Sequence, residues 1–422
     1  MKRLNTWINN NPINIKTIIN NKEYYFSENK YMKCIKSEDY NFTFDKINGK
    51  MMRWGKNKNE DSLYSPIGAE ILDLEISSSI IDTKSEVIKN RLINDGGCKG
   101  KCPQCYKKNG NYPTYNMTFE EFKRIFHNIA NTKVYDPLQN IEYNWNDIYN
   151  ISLYEMKSLK DGLIVYNKSP LTQIAFGIMN IDTNPDFFKM AEYCNKFGVT
   201  PNFTMHGLDN IDDKTLYYIK ETFGACAISV YDKNKSYNLL ERLNRIGMKQ
   251  VNFHICYYEE NYDFVKSILE DYKTDFRLKN INAFVLLGLK QKGGGINFNK
   301  LNDNKFNNLI KYVFDNDIPI GFDSCSANKF INSIKQFKKG EELNNLIEMV
   351  EPCEVNCFSS YVNCYGRYFP CSFMEESHKD WMNGIDVINC EDFINNVWLN
   401  NKCSEFRNKL YKNNRSCPVF KV

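Results

Sequence analysis

The sequence has little histidine, four residues in 422, and it contains no long apolar run. No stretch approaches the ~18–20 apolar residues that a membrane-spanning helix needs, so we expect no transmembrane protein. Neither sign of charge prevails, because the chain has 55 basic and 51 acidic residues. This balance neither demands nor excludes nucleic acid as a partner. The N-terminus, MKRLNTWINNNPINIK, lacks the apolar core of a signal peptide, so we expect a cytoplasmic protein.

Cysteine, in contrast, is abundant, with 15 residues. Because the cytoplasm keeps thiols reduced, this number indicates a use other than disulfide bonds. Three of the cysteines fall within residues 98–105, and seven more fall within residues 337–422. The shortage of histidine favours sulfur-ligated iron over zinc, since zinc sites often include an imidazole.

Apolar runs alternate with amphipathic stretches from Ile71 onwards, and this pattern predicts seven strands separated by helices. The predicted strands are residues 71–77, 171–177, 199–205, 226–231, 250–257, 281–289 and 318–323. Such βα units predict an α/β fold, a partial (β/α)6-type TIM barrel whose active site lies at the carboxyl ends of its strands. Residues 78–95 and 131–169 are too long for simple connections and are predicted insertions.

The same pattern divides the chain into three parts. Residues 1–66 are predicted to form a short N-terminal β-containing segment, and residues 67–336 the partial barrel. Residues 337–422, where the alternation stops, are predicted to be a small cysteine-rich C-terminal domain. A helix is predicted over residues 118–129, because Thr118 and Glu121 have the spacing of a capping box.

The first cysteine group lies on a glycine-rich loop, GGCKGKCPQCYKKNG. Cys98, Cys102 and Cys105 have the spacing C-x3-C-x2-C, and three thiolates so placed can each ligate one iron of a [4Fe–4S] cluster. The fourth iron would then be free to chelate a small molecule. A zinc site or plain reduced thiols are the alternatives, although no fourth Cys or His ligand at the spacing that zinc favours lies nearby.

This loop, which ends in Tyr106, resembles the signature loop of the radical S-adenosylmethionine (radical SAM) enzymes. The resemblance covers about residues 71–330 and implies a [4Fe–4S] cluster that binds S-adenosylmethionine (SAM) through its amino and carboxylate groups. One electron would cleave SAM to methionine and a 5′-deoxyadenosyl radical, which would abstract hydrogen from a substrate. The resemblance also implies an electron donor such as flavodoxin or ferredoxin.

Other positions of the family's pattern can be matched to this chain. By the resemblance, Tyr106 would lie near the adenine and Ser229 near the ribose. Gly177 would stand where the family has a Gly-Gly-Glu-type segment for the SAM amino group, but the acidic residue is missing here. His254 would contact SAM or substrate, or else pack in the core. The glycine-rich residues 290–295 are expected to form a plain flexible turn, with anion binding as the alternative.

The C-terminal cysteines also follow a pattern. Cys353, Cys357 and the segment Gly366-x4-Cys371 resemble the first half of a SPASM or twitch extension, which implies an auxiliary [4Fe–4S] cluster; zinc is the alternative. A hairpin is predicted around residues 365–369, with Gly366 at its turn. The candidate ligands are Cys325, Cys353, Cys357 and Cys371, with Cys417 in reserve.

The leading functional prediction is a radical SAM oxidoreductase or maturase that modifies a C–H bond of a peptide or protein. The prediction of a peptide substrate rests on the resemblance of the C-terminal segment, and the cysteine spacing alone does not give it. Modification of a nucleotide or RNA is one alternative, and a non-catalytic Fe–S electron-transfer protein is another. The sequence assigns no catalytic residue and does not name the substrate.

Overall fold

The computed structural model describes residues 12–57, 60–77, 102–107, 115–136, 139–145, 164–207, 211–377 and 379–420. Near the N-terminus an antiparallel five-stranded sheet runs in simple sequential order. Its strands are β1 Ile13–Ile19, β2 Lys22–Glu28, β3 Met32–Lys36, β4 Asn41–Asp45 and β5 Met51–Trp54. The predicted N-terminal β-containing segment is therefore confirmed.

The remaining strands of the described residues form two sheets. They are β6 Ile71–Glu75, β7 Thr132–Asp136, β8 Ile141–Asn144, β9 Ile164–Asn167, β10 Gln173–Gly177, β11 Thr200–His206, β12 Ala225–Ser229, β13 Val251–Tyr257, β14 Ala283–Gly288, β15 Ile320–Phe322, β16 Ser359–Val362, β17 Arg367–Phe369 and β18 Ile385–Asp386. Strands β7, β8 and β9 form a small antiparallel sheet inside the predicted insertion 131–169. The other predicted insertion, 78–95, lies outside the described residues.

A ten-stranded sheet in the order β15-β14-β13-β12-β11-β10-β6-β16-β17-β18 forms the centre. Its seven strands from β15 to β6 are parallel and coincide with the seven predicted strands. Within the described residues the two ends of this sheet do not pair, so it is an open, partial barrel. The predicted α/β class is confirmed. Strand β16 pairs in parallel with β6, so the C-terminal segment extends the same sheet.

Helices connect the parallel strands and continue after them. Among the described residues they are α1 Phe119–Ala130, α2 Phe187–Lys196, α3 Asp213–Thr222, α4 Lys233–Arg245, α5 Tyr262–Asp271, α6 Asp303–Asp315, α7 Ala327–Ile334, α8 Gly340–Glu348 and α9 Asn401–Lys412. Helix α1 begins with the predicted capping box, in which Thr118 and Glu121 each satisfy a backbone N–H of the other. Two otherwise unpaired donors at this helix end are thereby hydrogen-bonded.

The two faces of the parallel sheet differ in chemistry. In β13 the side chains of Val251, Phe253, Ile255 and Tyr257 are buried, whereas the alternate residues are only half-buried. The Phe253 ring packs on Tyr237 of helix α4, with ring centroids 5.8 Å apart. Since successive side chains of a strand point to opposite faces, His254 and Cys256 lie on the face away from this helix. This inner face of the sheet therefore carries polar side chains that are only half-buried.

The C-terminal hairpin is formed by β16 and β17, which pair antiparallel. Gly366 lies in its turn with φ of 70°, and a Cβ there would lie 2.4 Å from the side chain of Ile388. Glycine is therefore required on both conformational and steric grounds, and the predicted hairpin is confirmed. None of the described helices is long and apolar enough to cross a membrane.

Candidate functional site

Residues 102–107, the described part of the glycine-rich loop and named here the cysteine loop, lie at the carboxyl ends of the parallel strands. The Sγ atom of Cys102 lies 3.6 Å from Nε2 of His206, the last residue of β11. The His206 ring stacks on the Tyr231 ring, with centroids 4.8 Å apart. Burial raises the pKa of the Cys102 thiol, and a hydrogen bond with Tyr231 opposes the shift. Neither His206 nor Tyr231 stood out in the sequence, because neither belongs to a motif.

The first thiol group is described in part. Cys102 and Cys105 are both half-buried and close enough for charge on Cys105 to raise the pKa of Cys102. Cys98 lies outside the described residues. Among the residues described, no three side chains of His, Cys, Asp or Glu form a set that could hold a metal ion. The described donors are two thiols on one short loop at the carboxyl edge of the sheet. Thiolates are the usual ligands of an Fe–S cluster, so these donors fit one.

Three of the predicted SAM-contacting residues lie along the same edge or the inner face of the sheet. Ser229 at the end of β12 is in register with both His206 and His254. Nδ1 of His254 lies 3.3 Å from the Thr204 hydroxyl, and burial lowers the pKa of His254 to about 4. Gly177, at the end of β10, is in register with Glu75 of β6. Their contacts with SAM remain predictions.

The Tyr106 ring packs against Phe373, with centroids 4.7 Å apart. This contact joins the cysteine loop to the segment that follows Cys371. The phenol is enclosed by protein, and burial raises its pKa. An adenine contact for Tyr106 remains a prediction.

Beside Tyr106, a buried ionic network holds the loop in place. The Lys107 ammonium pairs with the Glu75 carboxylate at 3.0 Å and with the Glu375 carboxylate. The Tyr361 hydroxyl donates to Glu75 at 2.9 Å, and the Asn363 amide donates to Glu375 at 2.6 Å. The network therefore ties the cysteine loop to β6 and to the C-terminal segment.

The sequence did not predict this network. Lys107 stood in what looked like a short basic patch, residues 99–108. Its side chain is only 9% exposed, and that of Glu375 is 4% exposed. A buried lysine of this kind is found almost only when it is paired, and here the two carboxylates come from distant parts of the chain.

The glycine-rich residues after β14 are not a plain flexible turn, and that expectation is wrong. Gly293–Asn297 forms a short 3-10 helix, and Gly294 N–H donates to the Cys105 carbonyl at 2.8 Å. A Cβ on Gly294 would lie 2.1 Å from the Pro103 carbonyl oxygen. The glycines allow this loop to press directly against the cysteine loop.

A second group of thiols, Cys325, Cys353, Cys371 and Cys417, is related by electrostatic influence. Burial raises the pKa of the Cys353 thiol, and charge on Cys325, Cys371 and Cys417 raises it further. Burial raises the pKa of Cys371 to about 12, with charge on Cys325 and Cys417 adding to the shift. Among the described residues these four do not form a set that could hold a metal ion, so an auxiliary cluster here remains a prediction.

Cys357 has different electrostatic neighbours. Its pKa is raised by burial, and the neighbours that oppose the shift are the Tyr411 hydroxyl and the guanidinium groups of Arg415 and Arg407. Cys353 and Cys357 are both buried in the hydrophobic cluster that includes the N-terminal sheet. Which of the candidate cysteines would bind a cluster remains a prediction.

No protein-family model and no curated protein matches the chain. Among solved structures, Streptococcus suis SuiB bound to precursor peptide SuiA aligns over 96% of this chain and 91% of that chain, with 12% identity and a TM-score of 0.52. Another structure of Streptococcus suis SuiB aligns over 79% of this chain and 66% of that chain, with 13% identity and a TM-score of 0.50. At such low identity the likeness concerns the fold, and the fold of this chain is similar to that of SuiB.

Proposed function

We propose that the chain is a radical SAM enzyme that acts on a peptide or protein. One observation carries the proposal: Cys102 and Cys105, in C-x3-C-x2-C spacing with Cys98, lie at the carboxyl edge of an open parallel sheet. Active sites of βα barrels lie at this edge. The fold's similarity to SuiB supports the same assignment.

In this proposal Cys98, Cys102 and Cys105 hold a [4Fe–4S] cluster that binds SAM. When bound, the cluster supplies the electron that cleaves SAM to methionine and a 5′-deoxyadenosyl radical, which takes hydrogen from the substrate. The chain's own residues bind and orient SAM: Tyr106, Gly177, Ser229 and His254. An auxiliary [4Fe–4S] cluster belongs to the C-terminal cysteines, and the electron donor is a flavodoxin or ferredoxin.

The proposed reaction is tested by SAM cleavage. Anaerobically reconstituted protein, given SAM and dithionite, should release 5′-deoxyadenosine, and Cys102→Ala should abolish that release. Cys34→Ala is the matched control, because Cys34 lies in β3 of the N-terminal sheet. Persistent failure of the wild type with an intact cluster would contradict the enzyme and favour an electron-transfer protein.

A peptide or protein is the proposed substrate class, and the similarity to SuiB, whose aligned structure is bound to precursor peptide SuiA, supports it. The test is transfer of deuterium from a labelled candidate peptide into 5′-deoxyadenosine. Transfer from a labelled nucleotide or RNA instead would contradict the peptide class. A cytoplasmic location remains a prediction from the sequence.

A further inference from the structure

Asp73 lies in the middle of the large sheet, and its side chain is exposed. Its strand, β6, has β10 on one side and β16 on the other. The adjacent residues Leu72 and Leu74 are 0% and 1% exposed, whereas Asp73 between them is open to solvent. Since successive side chains of a strand point to opposite faces, Asp73 points to the inner face. An exposed side chain in an interior strand shows that this face borders an open space.

Small residues keep that space open. Ala175 of β10 is in register with Asp73 and shares its face. Through the registers of the following strands, the same face also carries Ala225, Ala227 and Gly321. Closed βα barrels instead fill their interior with bulky, branched side chains. The interior of this open barrel therefore has room for part of a ligand.

The Asp73 carboxylate has no hydrogen bond or ion pair within the part of the chain that the structure describes. Tyr361, in register with it on β16, donates its hydroxyl to Glu75 instead. The Lys107 ammonium pairs with Glu75 and Glu375. Asp73 can be reached from the barrel interior but is surrounded by protein, and this desolvation raises its pKa to about 6. At neutral pH it is therefore a carboxylate without a partner.

Asp73 also lies deeper in the barrel than the groups proposed to bind SAM. Gly177, at the end of β10, is in register with Glu75 at the end of β6. Asp73 precedes Glu75 by two residues, which places it about 7 Å nearer the amino end of the strand. SAM bound at the carboxyl edge would leave this deeper position to the substrate.

A ligand that enters the barrel interior displaces water from Asp73. A carboxylate that loses water without gaining a partner is costly, and a hydrogen-bonded cation removes that cost. We infer that Asp73 binds a cationic side chain of the peptide substrate, the ammonium of a lysine or the guanidinium of an arginine. The inference rests on the proposed function, because it names the group by which that substrate is recognised. SAM also carries an ammonium group, and the test distinguishes this second source.

The test measures the binding of peptides to the reconstituted full chain in the presence of SAM, by fluorescence anisotropy. The probes are two pools of short, labelled synthetic peptides with blocked termini and random uncharged sequence. Each peptide of the cationic pool has one lysine or arginine at its centre. The neutral pool has norleucine or citrulline at that position, which removes the charge and keeps a side chain of similar length.

The wild type should bind the cationic pool at least about tenfold more tightly than the neutral pool, because only the former makes a charge-assisted hydrogen bond. Asp73→Asn keeps the shape of the side chain without its charge and should abolish this preference. Asp73→Ala serves the same purpose if Asp73→Asn does not fold. Asp315→Asn is the matched control, because Asp315 pairs with Lys311 on the surface, and it should keep the preference.

The outcomes separate the inference from the proposed function. A wild type that cleaves SAM but binds both pools equally overturns the inference alone, and so does a preference that persists in Asp73→Asn. A raised KM for SAM in Asp73→Asn, with the peptide preference intact, would assign the carboxylate to the SAM ammonium and also overturns it. A wild type that holds its cluster and does not cleave SAM overturns the proposed function, and the inference with it.

Discussion

The Cys102 thiol and the His206 imidazole meet at 3.6 Å, although 104 positions separate them in the chain. His206 is held in turn by stacking on Tyr231. The side chains at the ends of β11 and beyond β12 therefore fix the orientation of a thiol on a separate loop. Neighbours that orient a ligand are part of a cofactor site, along with the ligand atom itself.

The first prediction concerns this contact. His206→Gln should lower the rate of SAM cleavage about tenfold, which corresponds to ~1.4 kcal/mol of barrier, because the Cys102 thiol loses an oriented neighbour. Iron content should stay at the wild-type level, since His206 is not a proposed ligand. Release of 5′-deoxyadenosine and iron are measured on the same preparation. A variant with the wild-type rate would show that the contact does not position the thiol.

The second prediction separates two C-terminal cysteines. If both clusters contain four irons, the wild type should bind about eight irons per chain. Cys371→Ala should reduce this to about four, because Cys371 is a proposed ligand of the auxiliary cluster and charge on Cys325 and Cys417 acts on its thiol. Cys357→Ala, the same substitution in a thiol whose main electrostatic neighbours are Tyr411 and two arginines, should keep about eight. Loss of iron in Cys357→Ala would contradict the grouping.

Local sequence signals predicted much of the fold, and the reason is physical. The alternation of apolar residues located all seven parallel strands, and Thr118 with Glu121 located the start of α1, because each signal is contained within one element. Gly366 likewise marked its own turn. Such features depend on neighbours a few residues away.

The site was less predictable because its contacts join distant segments. Lys107 pairs with Glu375, which lies 268 positions further along the chain, and nothing near Lys107 indicates that partner. The same holds for Cys417, whose charge acts on Cys353 and Cys371 although nothing in the spacing relates the three. The glycine-rich residues 290–295 were expected to form a plain flexible turn, and nothing in the sequence indicated that they lie against the cysteine loop.

The third prediction tests the buried network of Lys107. Lys107→Met should destabilise the protein by about 3–5 kcal/mol, because it leaves the Glu75 and Glu375 carboxylates buried without their cation. Lys311→Met is the control: Lys311 pairs with Asp315 on the surface, and its loss should change stability by about 0.5 kcal/mol or less. Urea unfolding of both variants measures the difference. Equal stabilities would show that the network contributes little.

The last prediction concerns His127, whose side chain is buried in helix α1. Its Nδ1 lies 2.9 Å from the Thr132 hydroxyl, which itself donates to the Asn167 side-chain oxygen. Because that hydroxyl has one proton, Nδ1 of His127 must donate to it, and Nε2 accepts from the Tyr193 hydroxyl at 2.7 Å. The neutral imidazole is thus fully hydrogen-bonded.

Burial lowers the pKa of His127 well below its ordinary value of 6.5. As pH falls below 6.5, the unfolded chain therefore binds a proton that the folded chain does not, and stability falls. His127 alone should lower the free energy of unfolding by about 1.4 kcal/mol between pH 7.5 and pH 5.5. Over the same pH interval, the free energy of unfolding of His127→Gln should fall by about 1.4 kcal/mol less than that of the wild type, whatever the stability of the variant at pH 7.5. Urea unfolding at both pH values measures this, and an unchanged pH dependence would mean that His127 is charged in the folded protein.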